Sequence, residues 1–110
     1  MKTIEYSKYL DKLLKVDLNK IPLSEAFALK LEYLFLCSDM SLYNFAIMIN
    51  LNYSYFNDLL RSTKHISLNK IEAICNSLHI TVIELFDFTP LITMQKEKVF
   101  IKFPIFEVLL

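Results

Sequence analysis

Apolar residues recur along this chain at spacings of three and four, separated by short polar breaks that carry Ser, Thr, Asn or Pro. That is the pattern of short amphipathic helices joined by tight connections. In "TIEYSKYLDKLLKV", residues 3–16, one helical face holds Tyr6, Tyr9, Leu10, Leu13 and Leu14, and the other is charged. "DLNKIP" interrupts the pattern, and Pro22 marks a helix boundary. Ser24 is placed to cap a second helix that runs to Cys37, with Phe27, Leu31, Leu34 and Phe35 turned inward. Ser41 opens a third, short helix whose inner face is Phe45, Ala46 and Ile49. Asn50 stands where the chain must turn sharply, and Asn tolerates the left-handed backbone region better than most residues. Asn52 caps a fourth helix with Phe56, Leu59 and Leu60 on its apolar side. Ser67 caps a fifth, and Thr81 with Glu84 forms the S/T-x-x-E capping box of a sixth.

The pattern changes at the end. "KVFIKFPIFEVLL", from Lys98, is rich in β-branched and aromatic residues with partial period two. As a strand it would place Val99, Ile101, Phe103 and Ile105 on one face. Pro104 cannot donate a ladder hydrogen bond, so the strand would be an edge strand or broken there. With no partner strand in its own chain, it would pair with a second copy or lie across the helices as an extended arm. The expected fold is all-α. Residues 1–23 form an amphipathic helix and linker, 24–88 a five-helix domain, and 89–110 an arm or dimerisation strand.

A chain of 110 residues, 55% of them apolar, has material for one core and little room for a second domain. It contains no glycine, which argues against Gly-rich phosphate loops and hinged lids. Cys37 and Cys75 are isolated and suit buried apolar positions in a reducing compartment. His65 and His79 are lone histidines in connections, and no grouping of side chains has the spacing of a metal site or of acid–base catalysis. No catalytic residue, cofactor or metal is therefore expected. Lys2, Glu5 and Lys8 stand where a signal peptide would need an apolar run, and no apolar stretch approaches the length of a membrane span. A cytoplasmic protein without a membrane partner is expected.

The stretch "MSLYNFAIMINLNYSYFNDLLRSTKHISLNKIEAICNSLHITVIELF" resembles the helix-turn-helix domains of phage Cro and repressor proteins, the XRE-like family. Phe45-Ala46 fills the position of the family's Leu-Ala pair, and Asn50 holds that of its turn glycine. Asn52 is the cap, Phe56 takes the place of the buried Ile, and "HITVIELF" matches the closing helices. The resemblance implies a five-helix repressor-like domain whose second motif helix lies in the major groove. It places Tyr53, Ser54, Asn57 and Asp58 toward base edges, and Asn52, Arg61 and Lys64 toward phosphates. It also implies double-stranded DNA as partner, and a homodimer reading half-sites about one helical turn apart.

The sequence departs from the family pattern in two ways. Leu42 replaces a Gln common at the start of the motif's first helix, and Tyr43, Ile47 and Met48 make that helix's outer face unusually apolar. Between Ser24 and Phe88, four basic residues (Lys30, Arg61, Lys64, Lys70) face seven acidic ones (Glu25, Glu32, Asp39, Asp58, Glu72, Glu84, Asp87). DNA-binding domains draw much of their affinity from neutralised phosphates. Two readings follow. The first is a small DNA-binding transcriptional regulator of phage or mobile-element type. The second is the same fold reused to bind a protein, as an antirepressor, antitoxin or inhibitor of a host complex, with Leu42, Tyr43, Ile47 and Met48 as its partner-binding patch.

Overall fold

The computed structural model of the chain describes residues 3–61 and 65–102, and the regular structure among them is helical. In order come α1 (Thr3–Leu14), α2 (Leu23–Ser38), α3 (Leu42–Met48), α4 (Tyr53–Leu60), α5 (Leu68–Leu78), α6 (Val82–Leu85) and α7 (Thr89–Glu97). The axis of the fold is α2. It is buried without interruption from Ala26 to Leu31, and again at Tyr33, Leu34, Leu36 and Cys37. A helix apolar on every side is stable only when neighbours enclose it. Here α1, α3 and α4 pack against it, α7 packs on α1, and α5 on α6. Tyr9 and Leu13 of α1 and Leu91 and Met94 of α7 join the same core as Phe45, Phe56 and Ile74. The three segments expected from the sequence thus share one hydrophobic centre.

The expected caps form at Ser41, Asn52, Ser67 and Thr81, where each side chain accepts from a backbone N–H of the first turn. Thr81 and Glu84 complete their box reciprocally, at 3.0 and 2.9 Å. At the start of α2 the expectation fails. The helix begins at Leu23, and Pro22, not Ser24, stands at the cap. Proline is already extended there, and its carbonyl accepts from the amides of Glu25 and Ala26.

Residues 89–97, expected to belong to the arm, form α7 instead. Pro90 sits in the first turn, where its missing N–H costs nothing, and Asp87 Oδ1 accepts from the Thr89 amide at 3.0 Å. The helix is fastened to α1 by Gln95, whose Nε2 donates to the carbonyls of Leu13 and Val16, both at 2.9 Å. Beyond it, residues 99–102 form no strand, with Val99 in a bend, and lie against the helices of their own chain. The side chain that anchors the arm is Phe100, of opposite parity to the expected face of Val99 and Ile101. Its ring stacks on Tyr6 with centroids 4.2 Å apart and lies near Tyr9 and Tyr33. Tyr33 donates its hydroxyl to the Ile101 carbonyl at 2.8 Å, and Lys102 pairs with Asp39. Phe103 and Ile105 lie outside the described residues.

Without glycine, the chain turns through left-handed backbone at Asp39 (φ 58°), Asn50 (φ 59°), His79 (φ 56°) and Lys98 (φ 58°). Each closes the C-terminal end of a helix or the turn just after one.

Candidate nucleic-acid interface

The pair α3 and α4 is held by its buried faces. Phe45 of α3 and Phe56 of α4 are fully buried, with ring centroids 5.6 Å apart, and Phe35 of α2 meets both edge-on. Ala46, Ile49 and Leu59 fill the space around them. At the end of α3 the Asn50 amide donates to the Ile47 carbonyl at 3.0 Å and the Leu51 amide to the Ala46 carbonyl at 2.9 Å. This double closure needs the left-handed residue between. The chain then reverses into Asn52, whose Oδ1 accepts from the amides of Ser54 (2.8 Å) and Tyr55 (3.3 Å). Two short helices meet across one tight turn. The second presents its outer face to solvent.

On that face the structure assembles most of the residues expected to meet DNA. Tyr53 and Ser54 are exposed, Asn57 and Asp58 are half-buried, and Arg61 is exposed just past the last turn. Asn52 lies beside them with its carboxamide oxygen committed to the cap, which leaves its amide nitrogen as the side chain's donor. Lys64 lies outside the described residues. Tyr55, which the sequence offered no reason to single out, braces the far end of α4. Its hydroxyl donates to the His65 carbonyl at 2.8 Å, and the Lys70 ammonium sits 4.0 Å above its ring.

The apolar face of α3 divides. Leu42 and Met48 are half-buried against the core, whereas Tyr43 and Ile47 are 60% and 57% exposed. Tyr43 does not stand apart from α4. Its ring centroid lies 6.2 Å from that of Tyr53, the first residue of α4.

The charges are arranged otherwise than a count of residues implies. Lys30 is 3% exposed, and its ammonium donates to the carbonyls of Glu84, Leu85 and Asp87 at the end of α6. Burial lowers its pKa, against the opposing pull of the Asp87 and Glu84 carboxylates. It closes a helix end and is not presented to a ligand. Among the described residues no group of three or more His, Cys, Asp or Glu side chains is placed to hold a metal ion. No single helix among them is long and apolar enough to cross a membrane.

A family model described as a Cro/C1-type helix-turn-helix DNA-binding domain matches residues 30–90, more than half of the chain. No curated protein and no solved structure matches it.

Proposed function

This chain belongs to the Cro/C1-type helix-turn-helix DNA-binding family, and we propose that it is a small transcriptional regulator of phage or mobile-element type that reads the major groove with α4. The observation that carries the reading is the outer face of α4. Tyr53, Ser54 and Asn57, with Arg61 just past the last turn, stand together on one side of a helix whose other side is locked into the core by Phe56 and Leu59. Rigid presentation of a few polar groups is what base readout requires. Asn57 has the paired donor and acceptor that match an adenine edge, and Ser54 can serve either way. Arg61 and the amide of Asn52 are positioned for phosphates, which set the register of the helix on the duplex. Two copies, related by a dyad, would read half-sites about one helical turn apart.

The test is binding to duplex DNA at about 50 mM salt, where even a few phosphate contacts give measurable affinity. Asn57→Ala is expected to relax base choice at one position of the site. Arg61→Ala is expected to weaken binding to all sequences alike and to flatten the salt slope by about one. Failure of the wild-type protein to bind any duplex at low salt would overturn the reading and leave the exposed face of α3 as a surface for a protein partner.

A further inference from the structure

The DNA-binding reading leaves an energetic question that the interface itself answers. Of the four basic residues between Ser24 and Phe88, Lys30 is consumed in closing α6 and Lys70 lies over the Tyr55 ring. Asp58 places a carboxylate on the face of α4. Among the described residues, Arg61 is the basic residue at the exposed end of α4, so uncharged side chains beside it have scope to contribute to affinity alongside phosphate contacts. The surface holds three large uncharged side chains in an exposed position. Tyr43 and Ile47 are one helical turn apart on α3 and share a face. The Tyr43 ring adjoins Tyr53, which is itself 45% exposed at the end of α4 that enters a groove. The apolar stripe of α3 is therefore continuous with the reading face of α4.

We propose that Tyr43, Ile47 and Tyr53 form an uncharged contact surface through which this domain recognises thymine-rich duplex DNA, with Tyr43 holding the Tyr53 ring against the thymine methyl groups. This rests on the DNA-binding reading above. Thymine carries an apolar group into the major groove, and that methyl is the natural partner of an apolar side chain there. The Tyr43 ring limits the directions open to Tyr53, so less freedom is lost when the pair meets DNA. Neutral contacts of this kind also leave affinity largely indifferent to salt.

The experiment uses the full chain and a duplex selected by the wild-type protein from a random pool, alongside the same duplex with every thymine replaced by uracil. Wild type is expected to lose affinity for the uracil duplex by about fourfold for each methyl contacted. Between about 50 and 200 mM salt its affinity should fall by only about tenfold for two phosphate contacts, not the thousandfold or more of a cation-rich domain. Tyr43→Ala should bind the thymine and uracil duplexes alike, while Tyr43→Phe, which keeps the ring, should still distinguish them. A merely structural role for Tyr43 would lower both affinities and leave their ratio unchanged. Equal wild-type binding to the two duplexes overturns the proposal while the DNA-binding reading stands, and it does so without any variant that has to fold. A steep salt dependence also counts against it. Failure of the wild-type protein to select any duplex from the pool overturns the DNA-binding reading instead.

Discussion

Lys30 lies in the middle of a helix that is otherwise apolar, and the sequence offers no local sign of why. Its partners are more than fifty residues away, the final carbonyls of a four-residue helix. So short a helix has almost no internal hydrogen bonding, and its orphan carbonyls need an outside donor. Lys30→Met is expected to strip this donor from the carbonyls at the end of α6, the buried Leu85 carbonyl among them, and to lower stability by about 1–3 kcal/mol, read from chemical denaturation. The Asp87 carboxyl is held below its ordinary pKa, first by the hydrogen bonds from Thr89 and also by the nearby Lys30 ammonium. A depressed carboxyl contributes stability above its unfolded pKa and loses it as pH falls through the folded value. Asp87→Asn should therefore lower stability at neutral pH and make it fall less steeply as pH drops, because that titration is removed, as read from denaturation at several pH values.

The helices differ in how far their own residues declare them. Ser41, Asn52, Ser67 and Thr81 were legible because a cap acts on the two or three residues that follow it. So was the turn at Asn50, where only a small polar residue suits the backbone. α7 was not legible. Its threonines and isoleucine lower helix propensity, Pro90 looks like a break, and the bonds that hold it run from Gln95 to the end of α1. The face of α4 was readable from residue spacing, but the Tyr43–Tyr53 pair was not, since it joins two elements across the turn. At this scale the turn can be tested directly. Asn50→Gly should leave stability within about 1 kcal/mol of wild type. Asn50→Val, with a branched Cβ in left-handed backbone, should cost about 1–2 kcal/mol or more by thermal melting and weaken DNA binding by misplacing α4.

Across the whole molecule, Tyr6 is the point where the first helix, the central helix and the arm meet. Its ring stacks on Phe100, and its hydroxyl donates to Asp39 Oδ1 at 2.9 Å. Asp39 also receives Lys102. Burial, with the adjoining Asp39 carboxylate, pushes the Tyr6 pKa up to about 12, and burial pushes Tyr9 up as well. A raised tyrosine pKa means that the folded state keeps a proton the unfolded chain gives up. The stability so gained is complete below pH 10 and is lost as pH rises toward 12. Thermal melts across that range should show a falling midpoint, and Tyr6→Phe should flatten the fall by removing one titration. The same junction makes the arm part of the fold, so Phe100→Ala should destabilise the whole domain in a single transition.

The four left-handed joints among the described residues have a counterpart in the unfolded chain. Each carries a steric cost of up to about 1–2 kcal/mol, smaller at Asn50 and Asp39, that glycine would relieve. Glycine would also widen the range of conformations open to the denatured ensemble, returning about 0.4–1 kcal/mol of that gain. A chain with no glycine and only three prolines is stiffened by side chains almost everywhere. The freedom it surrenders on folding is correspondingly smaller at all its other positions. Strain concentrated at Asp39, Asn50, His79 and Lys98 is thus set against a denatured state that is restricted along its entire length.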